Sequence, residues 1–302
     1  MISDPGRNSV VRSDATPPAG VPCEICRASS ASLLFVKSGY RLVRCSQCGL
    51  VFVENRPSEP QLSKLYDNES YHSDLTNDSS PASLWHKRTA ARQFQFVRKY
   101  KQRGRVLDIG CSVGFFLRMA KENGWEAYGV ERNARSVQHA KDNYGLNVTN
   151  GWLENVDFPE KFFDVVTLWD VIEHLRTPLS TIRHIAGLLK DDGILIFETP
   201  NIDGLFPQLS YPVGKFLNYW PHPTPPGHLF QFSKKTIRSL LRESGFTPLA
   251  IEDGRIAVSY SFGMESLKRA VYSAVFVPVS LVGPLLGSGD KMIVAASKGT
   301  AS

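Results

Sequence analysis

Nine residues, Val106-Leu107-Asp108-Ile109-Gly110-Cys111-Ser112-Val113-Gly114, constrain the fold of this chain more than any others. An apolar run leads into a turn carrying Asp108, Gly110 and Gly114, and Phe115-Phe116-Leu117-Arg118-Met119-Ala120 then takes up a helical pattern. A buried parallel strand that breaks at glycines and enters a helix opens a nucleotide-type α/β site. Glycine lets the backbone approach a ligand closely, and a carboxylate on the turn can hold a polar or cationic group. A dinucleotide fingerprint would need glycines at 110, 112 and 115, where this chain has Gly110, Ser112 and Phe115. The spacing is instead Asp-x-Gly-x-x-x-Gly.

The chain around this loop alternates strand and helix. Strands are predicted at 105–109, 126–130, 146–149, 163–169, 193–198, 247–252 and 291–297, and helices at 84–101, 114–123, 133–143, 178–189 and 233–244. Such alternation predicts an α/β fold with a doubly wound, mostly parallel seven-stranded sheet. No ordinary helical crossover separates the last two strands, so the final strand is expected to run antiparallel. With 302 residues, the chain can bury that sheet and still carry a smaller module.

Cys23-x-x-Cys26 and Cys45-x-x-Cys48-Gly49, separated by eighteen residues, form that module. Two such knuckles bring four thiolates to a tetrahedral Zn²⁺, which suits ribbons too small to fold on a core alone. Cysteine fills all four positions, so the metal is read as structural. Cys111, the fifth cysteine, is excluded from it. Paired knuckles fit a reducing cytoplasm with a metal better than secreted disulfides. The expected organisation is a disordered tail over 1–20, the zinc-binding module over 21–53, a linker or lid over 54–85, and the main domain over 86–302. The tail has no apolar core, so no signal peptide is read there.

Several later stretches complete the pattern. Glu131 ends the second strand 23 residues after Asp108, where a carboxylate can accept hydrogen bonds from both ribose hydroxyls. Asn150-Gly151-Trp152 follows the third strand. Phe163-Asp164-Val165-Val166-Thr167-Leu168-Trp169-Asp170 runs into Glu173-His174. Residues 202–232 form a long Pro- and aromatic-rich excursion containing Tyr211, Tyr219, Trp220 and His222, and closing on Gly227-His228-Leu229-Phe230 before a helix capped by Ser233. A loop of that size usually has a task, here covering and selecting an acceptor.

Together these stretches resemble class I S-adenosylmethionine-dependent methyltransferases with an amino-terminal zinc module, in the small-molecule and sugar branch. Asp108 to Gly114 match motif I, with Ser112 where that family usually has glycine. Glu131 matches the acidic residue of motif II. The stretch 162–175 matches the fourth-strand motif ending in Glu-His, and the His228-Leu229 pair also recurs in the family. The resemblance implies cofactor contacts from Asp108, Gly110, Cys111, Gly114, Glu131, Trp152 and Asp170. For Trp152 two readings stand, stacking against adenine or facing the core. His228 is the leading general base, against a loop histidine that only orders the lid. His174, which could equally cap a helix or sit in the core, and Tyr71 in the linker are the further catalytic candidates. Related sugar C-methyltransferases often carry Glu where Gly227 stands, which favours an oxygen acceptor over carbon.

The implied reaction is methyl transfer from S-adenosylmethionine to a small-molecule acceptor, a sugar, polysaccharide or natural-product precursor, most simply at oxygen. Two alternatives remain, an RNA methyltransferase gripping its substrate through the zinc module and a non-catalytic S-adenosylmethionine-binding module. The formal charge of +6 allows anionic partners, but the basic residues are scattered and the knuckles lack a stacking platform, which disfavours nucleic acid. Residues 265–287 are unusually apolar, with Pro278 and Pro284 in a run about 17 residues long. That length is marginal for a span. A helical insertion packed on the protein, or lying on a membrane surface as a peripheral contact, is expected instead.

Overall fold

Strands bounded by glycine turns, and helices started by Ser, Asn and Pro, build two sheets in a computed structural model that describes residues 21–66, 75–77, 79–218, 220, 222–254 and 278–299. The amino-terminal ribbon consists of β1 (Ala31–Lys37), β2 (Tyr40–Cys45) and β3 (Val51–Val53), followed by α1 (Glu59–Tyr66) and α2 (Pro81–Arg98). Next come β4 (Arg105–Ile109), α3 (Phe115–Glu122), β5 (Glu126–Glu131), α4 (Ala134–Tyr144), β6 (Asn147–Asn150), β7 (Phe163–Trp169), α5 (Pro178–Leu188) and β8 (Leu189–Pro200). The carboxyl-terminal part holds α6 (Leu205–Leu217), β9 (Phe230–Gln231), α7 (Lys234–Glu243), β10 (Phe246–Gly254) and β11 (Lys291–Lys298).

The large sheet has seven strands in the order β10-β11-β8-β7-β4-β5-β6. Pairings from β8 to β6 are parallel, while β11 runs antiparallel to both β8 and β10, as the missing crossover predicts. The chain leaves β4 first toward β5 and later toward β7, so the sheet reverses direction at β4. The crevice above the carboxyl ends of β4 and β7 is therefore where a ligand belongs.

Local chemistry sets the helix starts. The Ser80 side chain accepts from the Ser83 amide at 3.0 Å and Pro81 follows at the first position, which places the start of α2 three residues before the predicted 84. Asn133 caps α4, with Gly145 closing it at φ 58°. Ser233 caps α7 as expected, through a reciprocal pair of bonds with Thr236.

Three features depart from the sequence expectations. The excursion over 202–232 contains α6, held on β1 by the Tyr211 hydroxyl donating to Leu34 O at 3.1 Å and by Trp220 packing edge-on against Phe35. The stretch 54–85, expected to be a linker or lid, holds α1 and the first turn of α2. The zinc-binding module is not a separate unit. β9 pairs with β3, so the second sheet has the order β1-β2-β3-β9 and takes its fourth strand from the residues just after His228. Val43, Leu50 and Phe52 share one apolar core with Leu107, Val166, Leu168, Phe230 and Phe232. Tyr71, Tyr219, the tail over 1–20 and residues 265–277 of the apolar insertion lie outside the described residues, and 278–286 are helical. No helix among the described residues is long and apolar enough to cross a membrane.

Candidate functional site

The glycine loop rises from β4 into the crevice. Gly110 at φ 71° and Gly114 at φ 89° adopt the left-handed region, and each is also short of space. A Cβ on Gly110 would meet Val171 Cγ2 at 2.6 Å, and one on Gly114 would meet Leu146 Cδ1 at 2.5 Å. Ser112 takes the same region at φ 51° without being glycine, a conformation costing about 1–3 kcal/mol. Glu131 helps to offset that cost. Its Oε2 accepts from the Ser112 amide at 2.8 Å and its Oε1 from the Asn133 amide at 2.7 Å. The carboxylate is thus fixed at the rim of the loop, each oxygen keeping a lone pair for a ligand hydroxyl. Burial raises its pKa against the pull of those amides.

Asp108 is only 2% exposed and accepts from the Thr167 hydroxyl at 2.7 Å. Burial pushes its pKa up to about 8, so a cation arriving beside it would find strong compensation. The Cys111 thiol is buried behind the loop, against the space left by Gly129, where a Cβ would lie 2.7 Å from Sγ. Only the backbone of Cys111 belongs to the loop surface. Trp152 is partly exposed, with the Arg132 guanidinium 4.4 Å over its ring, so it does not face the core.

Asp170 leaves β7 at φ 55°, and its amide donates to Glu198 O at 3.0 Å. Lys291 Nζ donates to Asp170 Oδ2 at 2.5 Å and lies 3.4 Å from Glu198 Oε1. Burial alone would lower the lysine's pKa, but the two carboxylates raise it above the ordinary value. Sequence reasoning missed Lys291. Its one signal is a cation opening the apolar strand Met292-Ile293-Val294-Ala295-Ala296.

The turn after β7 brings the remaining candidates together. The Leu229 amide donates to Glu173 O at 2.8 Å, which ties the His228 segment to the Glu173-His174 turn. The His174 and His228 rings meet edge to face with centroids 4.6 Å apart, and His174 Nδ1 lies 2.9 Å from Gly227 O. Glu173 Oε2 accepts from the Thr199 hydroxyl at 2.9 Å. Because Val171 fills the space beside Gly110, this cluster adjoins the glycine loop. Tyr71, the third catalytic candidate, is outside the described residues.

The four knuckle cysteines converge as predicted. Cys23 and Cys48 sulfurs lie 3.5 Å apart, as do those of Cys26 and Cys45, and all four are within 4.8 Å of one another. Tetrahedral Zn²⁺ with Zn–S bonds of about 2.3 Å needs sulfurs roughly 3.8 Å apart. The cage fits zinc, and Cys111 is not part of it.

A family model described as a methyltransferase domain matches residues 84–251. Among curated proteins, a ubiquinone biosynthesis O-methyltransferase of Actinobacillus pleuropneumoniae serotype 5b is 32% identical over 108 residues, covering 32% of this chain and 46% of that protein. A tRNA U34 carboxymethyltransferase of Desulfotalea psychrophila is 29% identical over 168 residues, covering 51% of this chain and 50% of that protein. The chain spans about half the length of these relatives. Among solved structures, an S-adenosylmethionine-dependent methyltransferase from Archaeoglobus fulgidus superposes with TM-score 0.52 at 21% identity, covering 76% of this chain and all of that one. The [4+2]-cyclase SpnF superposes with TM-score 0.53 at 16% identity, covering 82% of this chain and 98% of that one. Likeness at this level shows the fold alone, and a cyclase sharing it makes clear that the chemistry must be argued from the site.

Proposed function

The chain belongs to the class I S-adenosylmethionine-dependent methyltransferases, and from that membership we propose that it methylates a hydroxyl of a small-molecule acceptor such as a sugar, polysaccharide or natural-product precursor. One observation carries this reading. Gly110 packs against Val171, so the cofactor loop and the Glu173-His174-His228 cluster face one crevice. S-adenosylmethionine supplies the methyl group as an electrophile on sulfur. Glu131 would hold the ribose hydroxyls, Asp108 the charged methionine end, and Trp152 one face of the adenine. Asp170, fixed by Lys291, would line the crevice near the reacting centre. His228 would activate the acceptor oxygen by taking its proton, with His174 and Tyr71 as the other groups able to do so. Orientation of the two reactants supplies much of the acceleration in such a transfer.

The knuckles would hold one Zn²⁺ with no part in the chemistry, since thiolates fill every position. We place the protein in the cytoplasm, with peripheral membrane contact supported by exposed apolar side chains on α6 and the neighbouring turn. Phe216 is 89% exposed and Leu285 77%.

Incubation with methyl-labelled S-adenosylmethionine and fractionated host extract, followed by mass spectrometry, should show label on the oxygen of a small molecule. Label confined to RNA would replace this reading with the nucleic-acid alternative. Cofactor binding with no labelled product in any fraction would leave the non-catalytic module.

Cofactor binding has its own test. Calorimetry on Glu131→Ala should show S-adenosylmethionine affinity reduced by roughly 1–3 kcal/mol, the cost of leaving buried hydrogen-bonding groups unpaired. Unchanged affinity would remove Glu131 from the site.

A further inference from the structure

Two adjoining sides of α6 are apolar, and the protein covers one of them. Phe206, Pro207, Ser210 and Gly214 are buried, and Trp220 Nε1 donates to Ser210 Oγ at 3.1 Å. On the other side Leu209, Val213, Phe216 and Leu217 keep the spacing of a helix stripe, and all of them are exposed. Leu205 begins the same stripe and touches the helical stretch 278–286, where a Cβ on Gly283 would lie 3.4 Å from Leu205 Cβ. Leu281, Val282, Leu285 and Leu286 on that stretch are exposed as well. Burial of the core gains nothing from such side chains in water, and a continuous apolar surface marks a contact.

The chemistry of the surface identifies what it meets. Its exposed side chains are Leu, Val and Phe, whereas protein interfaces are anchored by Trp, Tyr and Arg. From Gly204 to Arg242 the sequence holds Lys215, Lys234, Lys235, Arg238 and Arg242 but no Asp or Glu, and residues 270–289 carry no charge at all. Lys215 stands exposed on α6 beside Phe216, where its stem can follow apolar surface and its ammonium reach headgroups. Acyl chains suit the aliphatic stripe, and anionic headgroups suit the cations beside it.

The same helix borders the crevice. α6 starts shortly after β8 ends at Pro200, on the carboxyl edge of the sheet. Phe206, on its packed side, and Trp220 both lie against His222, with ring centroids 6.3 and 6.0 Å away. Burial holds the His228 pKa well below its ordinary value, and His174 and His222 add to that lowering, so His222 adjoins the candidate base. The stripe therefore stands within about one helix diameter, roughly 10–12 Å, of His222. An apolar helix face sinks about 5–10 Å into the headgroup boundary, which leaves the histidines at the level where headgroups project.

We propose that α6 and the stretch 278–286 rest on an anionic bilayer, and that the acceptor is the hydroxylated headgroup of a lipid-linked saccharide entering the crevice from that surface. The inference rests on the methyl-transfer reading and names its substrate class. The headgroup oxygen forms the new C–O bond, the S–CH₃ bonding pair returns to sulfur, and the hydroxyl proton passes to His228. The hydrocarbon chains stay in the bilayer throughout.

Vesicles of phosphatidylcholine and phosphatidylglycerol in equal parts are the first probe. Full-length protein should sediment with them and not with pure phosphatidylcholine. Phe216→Glu and Leu285→Glu should each weaken that binding at least tenfold. Both side chains stand in solvent, so calorimetric S-adenosylmethionine affinity should keep its wild-type value and show that the variants are folded. Wild-type protein that stays in the supernatant would overturn the docking. Phe216→Trp should shift its emission to the blue when vesicles are added. Emission already blue-shifted without lipid would mean that another segment or a second copy covers the stripe, and would overturn the docking too. Host membranes incubated with methyl-labelled cofactor are the second probe. Label should enter the organic phase of a solvent extract and fall at least tenfold with Phe216→Glu. Label confined to water-soluble molecules would overturn the lipid acceptor while keeping the methyl-transfer reading. Vesicle binding as described, with no label in either phase, would sink the methyl-transfer reading and the acceptor with it.

Discussion

Replacing His228 with alanine lowers kcat by about 10²–10⁴, the range for loss of a group that handles an acceptor proton. Affinity for S-adenosylmethionine stays near wild type in the same variant. The reason is position. His228 sits on the segment tied to the Glu173 carbonyl through Leu229, whereas Glu131 is bonded to the glycine loop through the Ser112 amide. Its ring meets the His174 ring edge-on, so under the proposed reading the two histidines would face the acceptor together. Single-turnover kinetics with labelled cofactor, beside calorimetric binding, separates the two effects. A loss below tenfold moves the role to His174, Tyr71 or solvent. Equal losses of binding and turnover would mean that the substitution disturbs the whole crevice.

The seven-stranded sheet was legible in the sequence because its central strands are largely buried and end at punctuating residues. Val106 to Ile109 and Phe163 to Trp169 are predominantly apolar, broken only by Asp108, Asp164 and Thr167, and a parallel strand covered by helices reads that way. The cofactor loop was legible for a related reason. Gly110 and Gly114 occupy backbone conformations that few other residues tolerate, so their spacing encodes the turn directly. The antiparallel final strand followed from connectivity alone.

What escaped the sequence has physical causes too. α6 contains Pro207, Pro212 and Gly214, three residues that argue against a helix, yet packing of Phe206, Ser210 and Trp220 holds it. β9 is two residues long and pairs with a strand almost 180 positions earlier, so no local pattern announces it. Lys291 reaches Asp170 and Glu198 from a strand remote in sequence, and its place there becomes visible only once β11 lies beside β8. Glu173 was visible as half of a Glu-His pair, but its unpaired Oε1 was not. Sequence periodicity reports burial, while unsatisfied polar atoms emerge only from packing.

Loss of the zinc cage should therefore reach the active crevice, although every cysteine lies in the amino-terminal ribbon. Structural zinc in isolated finger peptides contributes about 10–16 kcal/mol of apparent binding free energy, and a whole domain is stable by only about 5–15 kcal/mol. A ribbon deprived of Cys45, which ends β2, keeps its apolar contacts with the large sheet but loses the cage that fixes its turns. β2 carries β3, β3 carries β9, and β9 begins two residues after His228. Val53 N also donates to Leu229 O at 2.9 Å, directly beside the candidate catalytic histidine. Freshly purified, reduced protein should hold one zinc in the thiolate cage, and Cys45→Ser should lose it. That variant should turn over about 10² times more slowly, since displacement of a reacting group by roughly 1 Å costs that much. Its S-adenosylmethionine affinity should change little, because Asp108, Gly110 and Glu131 stand on β4, the loop and β5, strands of the other sheet. A zinc-free wild type would defeat the cage. Full turnover in zinc-free Cys45→Ser would show that the ribbon does not position His228, and cofactor binding lost together with turnover would show that the two sheets unfold as one.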